Sequence, residues 1–110
     1  MAKKINLNDY LGHSMDCTCG KEHKTNLKIV DIDKDAVSRL PKHIEALGYK
    51  KPFLVADVNT WAAAGALAAE KLDVAGISYK KYIFNEKELI PDERTLGSLM
   101  MAFSRDCDVI

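Results

Sequence analysis

Residues 52–61 read PFLVADVNTW and continue directly as AAAGALAAEKL over residues 62–72. Phe53, Leu54 and Val55 form a continuous apolar block, which is typical of a strand buried on both faces of a parallel sheet. Asp57 falls where that strand would end, and a two-residue turn and a helix rich in small residues follow it. This order of strand, acid and helix predicts an α/β fold.

Asp57 has two interpretations that its position leaves equally open. Ligands of open α/β sheets gather outside the carboxyl ends of the strands, and an acid there can accept both hydroxyl protons of an adenosine ribose. Aspartate and asparagine are also good helix N-caps, so Asp57 or Asn59 can serve simply to begin the next helix. Spacing alone does not decide between these two roles.

Composition restricts the class of protein. The 110 residues suffice for one domain, and sixteen basic residues balance sixteen acidic ones, which argues against a nucleic-acid-binding protein. No apolar run approaches the roughly 20 residues that cross a bilayer, so no membrane span is predicted. The N-terminus lacks the apolar core of a secretory signal, and an odd number of cysteines argues against a disulfide framework. We therefore expect a cytoplasmic protein.

The segments on either side of residues 52–72 repeat the same alternation of strand and helix. Strands are predicted at residues 27–32, 77–84 and from Cys107 onward. One helix is predicted with Pro41 in its first turn and its end at Gly48, and another after the capping residue Asp92. With the central strand and its helix, the order is βαβαβαβ. It predicts a Rossmann-like, three-layer half-domain with a mostly parallel sheet over residues 27–110.

Residues 1–26 are predicted to form an irregular N-terminal arm. Cys17, Cys19 and His23 are metal-ligand types close together, with His13 upstream. A Cys-x-Cys spacing is tighter than the pairs of structural zinc sites, so the expected state is a reduced, exposed loop with no metal, and these three residues are only weak metal candidates.

The last residues, from Asp106 to Ile110, resemble the start of another strand. The fold is therefore expected to be truncated before a further domain, and an unpaired strand edge favours self-association of the chain.

Three ordered motifs carry a resemblance to a known family. They are CTCGKEH at residues 17–23, VADVNTWAAAG at residues 55–65 and PDE at residues 91–93. Together they resemble the N-terminal part of sn-glycerol-1-phosphate dehydrogenases, of the iron-containing alcohol dehydrogenase and dehydroquinate synthase-like superfamily. Trp61 stands where a tyrosine is more usual in that family.

The resemblance implies a parent enzyme with a nucleotide-binding domain and a C-terminal helical domain. NAD or NADP would lie on the first domain, and a divalent metal in the second would polarise the substrate, a small phosphorylated polyol. Hydride would pass between sn-glycerol 1-phosphate, or dihydroxyacetone phosphate, and the nicotinamide. Asp57, Asn59, Thr60 and Phe84 match cofactor-binding positions at the adenosine end. No catalytic residue or metal ligand is matched, so the chain by itself is expected to be inactive.

Two alternatives remain open at this point. The chain could be a free-standing interaction or metal-binding module, using the arm with Cys17, Cys19 and His23. It could also belong to a sibling enzyme of the superfamily, such as a glycerol dehydrogenase or a dehydroquinate synthase.

Overall fold

The computed structural model describes residues 6–110, which form two compact units divided between Asp33 and Lys34. The sequence places a domain boundary after Asn26, seven residues earlier. The first five residues of the predicted arm lie outside the described part. Within residues 6–110, no helix is both long and apolar enough to cross a membrane.

The first unit contains a short β-hairpin. A 3₁₀ turn over Leu7–Tyr10 precedes it, and the Asn6 side chain caps this turn by accepting the Asn8 N–H. Strands β1 (Ser14–Met15) and β2 (His23–Lys24) pair in antiparallel fashion, with Met15 opposite His23. The arm is therefore less irregular than its composition indicates.

The predicted strand at residues 27–32 does not form, and this prediction is wrong. None of these six residues lies in a strand, and the side chains of Leu27 and Ile32 are 58% and 80% exposed. Alternating apolar residues supply one face of a strand, but a strand also needs a neighbouring backbone to satisfy its N–H and C=O groups. This stretch consequently belongs to the first unit instead of the sheet.

The second unit begins with a helix whose limits follow from local signals. A 3₁₀ turn over Ala36–Arg39 continues into α1 (Leu40–Ala46), and Pro41 lies in its first turn as predicted. Ile44 points into the core and is 8% exposed. Gly48 follows the helix with a φ of +82°, a conformation that favours glycine, so the predicted helix end is confirmed.

Two parallel strands form the centre of the second unit. Strand β3 (Phe53–Asp57) pairs with β4 (Lys80–Phe84) in a register that places Phe53 beside Lys80 and Asp57 beside Phe84. On the other side of β3, Val109 forms a parallel bridge with Pro52, and the Phe53 N–H donates to the Val109 carbonyl at 2.8 Å. The predicted parallel arrangement is confirmed for these three segments, while the sheet is smaller than the predicted four-stranded half-domain.

Helix α2 follows β3 without the predicted turn. It begins as Val58–Thr60, passes through a π-helical turn over Trp61–Gly65 and continues as Ala66–Val74. The Ala66 N–H bonds to the Trp61 carbonyl. The absence of a Cβ at Gly65 makes room for the Trp61 ring, since a Cβ there would lie 2.6 Å from Trp61 Cε3. Lys81 places its Nζ 4.6 Å from the centre of the same ring, a cation–π distance.

Helix α3 (Glu93–Ala102) begins at the predicted cap. The Asp92 carboxylate accepts the Thr95 N–H at 2.8 Å. The apolar side of the helix is mostly uncovered, because Leu96 and Met100 are 58% and 69% exposed. Just after the helix, the Phe103 ring packs edge-on against Phe53 with 5.4 Å between ring centroids.

The core of the second unit lies between the sheet and the helices. Its buried apolar side chains, among the residues that the structure describes, are Ile44, Pro52, Phe53, Ala69, Leu72 and Phe84. Leu72 and Phe53 are the most completely covered, at 0% and 2% exposed. The core has few residues for a chain of this length. Most of them are Phe53, the first residue of β3, and side chains of the helices α1 and α2.

Charged side chains hold the last segment against the sheet. Asp108 accepts the backbone N–H groups of Lys50 and Lys51 at 2.8 and 2.9 Å, which hold the pKa of its carboxyl below the usual range. Asp106 accepts bonds from the Lys51 ammonium, the Ser104 hydroxyl and the Lys80 ammonium, and they lower the pKa of its carboxyl strongly. Lys50 and Lys51, which precede β3, are thus bonded to the segment that contains Asp106 and Asp108.

Two helical glycines offer a matched test of the Trp61 contact. Gly97→Ala in α3 meets no atom within 4 Å and should stabilise the fold by about 1 kcal/mol, because alanine favours helix. Gly65→Ala must displace the Trp61 ring and should destabilise the fold by about 1–3 kcal/mol. Urea unfolding measures both values, and Trp61 is the only tryptophan, so its fluorescence reports the displacement. Equal stabilisation by both substitutions would contradict this packing.

The Asp108 contacts predict a specific loss of stability in acid. A carboxyl whose folded pKa is depressed stabilises the fold above its unfolded pKa of about 3.9, and this contribution is lost as pH falls through the folded pKa. The free-energy difference between the wild type and Asp108→Asn should therefore be largest near neutral pH and shrink below about pH 4.

Val109→Ala provides the uncharged control for that measurement, because it removes two methyl groups from the neighbouring residue and leaves its backbone bridge to Pro52 in place. Its destabilisation should be the same at neutral and acidic pH. A difference for Asp108→Asn that is equally independent of pH would show that the carboxylate charge has no role.

Candidate functional site

The carboxyl ends of the two parallel strands meet at one edge of the sheet. Asp57 and Phe84 are the last residues of β3 and β4 and are paired in register. Asn59 and Thr60 follow in the first turn of α2. The four residues predicted at the adenosine end therefore lie at or beside one edge, where open α/β sheets bind their ligands.

Asp57 caps helix α2, as one of its two interpretations predicts. Its Oδ1 accepts the Thr60 N–H at 2.7 Å and the Thr60 hydroxyl at 2.9 Å. In return, the Asp57 N–H donates to Thr60 Oγ1 at 3.0 Å, which completes a capping box. These bonds from the Thr60 backbone and side chain lower the pKa of the Asp57 carboxyl, so it is ionised at neutral pH.

The cap leaves acceptor capacity on the same carboxylate. An ionised carboxyl offers about four lone-pair positions, and Thr60 uses part of that capacity at one oxygen. Asp57 is half-buried, whereas Asn59 and Thr60 are exposed. The arrangement can therefore accept hydrogen bonds from a pair of hydroxyl groups while the helix remains capped.

Phe84 occupies the floor of a cleft beside this edge. Its ring is 5% exposed and packs edge-on against Tyr82, with the ring centroids 4.8 Å apart. The cleft has a volume of about 630 Å³. Its other wall consists of helix α3 and the two residues before that helix. The lining residues besides Phe84 are Pro91, Asp92, Glu93, Thr95, Leu96 and Leu99. Phe84 thus contributes an apolar floor instead of an exposed ring on which a base can stack.

A smaller cavity of about 230 Å³ adjoins Phe84 and has a charged lining. Glu86, Glu88 and Asp92 contribute carboxyl groups, and Arg94 contributes one guanidinium group. A lining with three carboxyl groups and one guanidinium group favours ligand groups that donate hydrogen bonds, such as hydroxyl and amino groups, over a phosphate. Sequence reasoning treated PDE at residues 91–93 only as a motif and a helix start, and it missed Arg94, Thr95 and the cavity.

The first unit contains a separate cluster of potential metal ligands. Cys19 Sγ and His23 Nε2 lie 3.0 Å apart, and the Cys17 Sγ accepts the Cys19 N–H at 3.5 Å. The three ligand atoms all lie within 4.8 Å of one another on exposed side chains. The bond from the Cys19 backbone lowers the pKa of the Cys17 thiol below its ordinary value.

The hairpin explains why these three residues converge. Strand β2 returns antiparallel to β1, so His23 comes back beside the connecting residues that carry Cys17 and Cys19. Within that connection the Gly20 N–H bonds to the Cys17 carbonyl at 3.1 Å, and Gly20 has a φ of +76°. The Cys-x-Cys spacing alone does not show this convergence, because the third ligand is brought in by strand pairing.

Three curated proteins similar to this chain share one name, glycerol-1-phosphate dehydrogenase, NAD(P)+. The protein from Halalkalibacterium halodurans is 33% identical over 98 residues, which is 86% of this chain and 25% of the relative. The Bacillus velezensis protein is 34% identical over 82 residues, or 72% of this chain and 21% of the relative. The Geobacillus stearothermophilus protein is 24% identical over 108 residues, or 94% of this chain and 27% of the relative.

The chain therefore spans about a quarter of the length of the curated relatives that it matches. No family model matches it. No solved structure matches it either.

Proposed function

We propose that this chain supplies the adenosine-binding part of an NAD(P)-dependent oxidoreductase that resembles glycerol-1-phosphate dehydrogenase. The observation that carries the proposal is the ionised Asp57 carboxylate at the carboxyl end of β3, next to the end of β4 in a parallel sheet. A carboxylate in this position is how many dinucleotide-binding folds hold the adenosine ribose. The name shared by the three similar proteins supports the same assignment.

The residues of the edge have separate roles in this proposal. Asp57 accepts hydrogen bonds from the ribose hydroxyl groups, while its cap on α2 keeps the carboxylate in place. Asn59 and Thr60 form the polar turn against which the ribose lies. The cleft over Phe84 takes the adenine ring, and its carboxylate-lined neighbour accepts the adenine amino group.

For the whole protein we propose interconversion of dihydroxyacetone phosphate and sn-glycerol 1-phosphate. The bound nicotinamide would supply or accept the hydride, and a divalent metal would polarise the substrate oxygen. We assign neither the metal nor the pyrophosphate to residues described here, so this chain's contribution is to bind and orient the adenosine end. A sibling glycerol dehydrogenase or dehydroquinate synthase is the second candidate, but the shared name of the relatives favours the glycerol-1-phosphate enzyme.

Calorimetric titration of the 110-residue chain with NAD⁺ and AMP tests the proposal. We expect weak binding of both, with a dissociation constant on the order of 1 mM, because only the adenosine end is held. NADP⁺ should bind more weakly than NAD⁺, since its 2′-phosphate would meet the Asp57 carboxylate. Asp57→Ser keeps a capping oxygen for α2 but loses the charge, and it should weaken AMP binding at least about tenfold.

Asp92→Ser is the matched control for the stability cost of changing the cap, because Asp92 caps α3 through the equivalent bond to Thr95. Only its unfolding free energy serves as the control, since Asp92 also lines the cavity assigned to the adenine amino group. Both serine variants should unfold within about 1 kcal/mol of the wild type, which separates loss of binding from loss of structure. Unchanged AMP affinity in Asp57→Ser, with the fold intact, would reduce Asp57 to a helix cap and refute the ribose contact.

Self-association also belongs to this proposal. The uncovered face of α3 and the residues after it expose Leu96, Met100, Met101 and Ile110 at 58%, 69%, 89% and 77%. Apolar area buried between two copies contributes roughly 25 cal/mol per Å². In solutions of the chain alone, we expect a sedimentation coefficient that rises with concentration, and Met100→Lys with Met101→Lys should abolish the rise. A wild-type monomer at high concentration would contradict this prediction.

A further inference from the structure

We propose that Cys17, Cys19 and His23 bind a single zinc ion at the tip of the β1–β2 hairpin, with the fourth coordination position open. The proposal concerns the first unit and does not depend on the nucleotide site assigned to the second. Its basis is that one imidazole nitrogen and two sulfur atoms lie within 4.8 Å of one another in the folded chain.

The ligand set identifies the class of metal. Two thiolates and one imidazole are soft or borderline ligands, which zinc accepts in its commonest protein sites, whereas magnesium and calcium prefer oxygen. With Zn–S near 2.3 Å and Zn–N near 2.0 Å, tetrahedral geometry places ligand atoms about 3.5–3.8 Å apart. The Cys19–His23 separation of 3.0 Å and the 4.8 Å limit for the cluster bracket that range. Rotations of exposed side chains suffice to reach it.

The hairpin reduces the entropic cost of assembling the site. All three ligands lie within seven residues, and the pairing of Met15 with His23 closes that loop before any metal binds. The Gly20 turn, with its bond to the Cys17 carbonyl, further restricts the segment between the ligands. Binding therefore orders side chains more than backbone, which favours affinity.

Three protein ligands leave room for a fourth one from outside the cluster. Structural zinc sites are closed by four protein ligands, whereas sites with three keep a position for water or an incoming group. The cysteines and the histidine are all exposed, so solvent or an external thiol can reach this position. The site is consequently an exchangeable one, and the core of the second unit, formed by other residues, should fold without the metal.

The test uses the reduced 110-residue chain after treatment with a chelator. Titration with Co²⁺ should give one equivalent of bound metal, a thiolate-to-cobalt charge-transfer band and visible bands of tetrahedral intensity, and Zn²⁺ should displace it. Cys17→Ser, Cys19→Ser and His23→Ala should each lower Zn²⁺ affinity at least about 100-fold. Loss of groups that only support a ligand already costs 10- to 100-fold, so a direct ligand should cost at least as much.

Two substitutions outside the cluster are the controls. Cys107→Ser removes the third cysteine of the chain, and His13→Ala removes the other imidazole near the hairpin; both should bind Zn²⁺ like the wild type. The far-ultraviolet helical signal should survive removal of the metal. The proposal is overturned if the reduced wild type binds less than stoichiometric Co²⁺ and Zn²⁺. Full binding by the three cluster variants, or its loss in Cys107→Ser, would also overturn it.

Discussion

The placement of β3 between two parallel neighbours is the constraint on which the rest of the second unit depends. Phe53 begins this strand, is almost fully buried and donates its N–H to Val109, while Lys80 donates to the Pro52 carbonyl on the other side. The start of the strand is thus held from both sides, and its register with β4 continues to Asp57, which pairs with Phe84. The position of the candidate site therefore follows from the pairing that buries Phe53.

Features set by a few neighbouring residues could be predicted from the sequence. The strand at Phe53–Val55, Pro41 in a first turn, and Asp92 as a cap each depend on local chemistry, and all three are confirmed. The predicted burial of that strand on both faces is wrong, because Val55 is 37% exposed and only Phe53 is buried. The strand at residues 27–32 was wrong because pairing depends on a distant partner that an alternating pattern does not specify. The π-turn after Thr60 was missed for a related reason, since it accompanies the fit of the Trp61 ring over Gly65.

The candidate sites show the same difference between features set by neighbouring residues and features set by distant ones. Asp57 was identifiable because an acid directly after an apolar strand is visible in the sequence, whereas Arg94 and Thr95 line a cavity only because the loop after β4 brings α3 alongside the strand. The cysteine motif was visible, but its spacing argued against a metal site. Antiparallel pairing of the hairpin supplies what spacing cannot show, namely that His23 returns to Cys19.

In the proposed site, the observed cap and the proposed ligand binding are compatible roles for Asp57, and the cap would favour the binding. A free surface aspartate samples several rotamers and loses that freedom when it binds a hydroxyl group. Here the reciprocal bonds with Thr60 already hold the Asp57 side chain in one conformation and lower the pKa of its carboxyl. The conformational entropy lost in holding the side chain is offset by the stabilisation of α2. A ligand therefore meets an ionised acceptor that is ordered in advance. The two interpretations that the sequence left equally open are therefore compatible: the structure shows the helix cap, and in the proposed site the same cap would hold the carboxylate ready for the ribose.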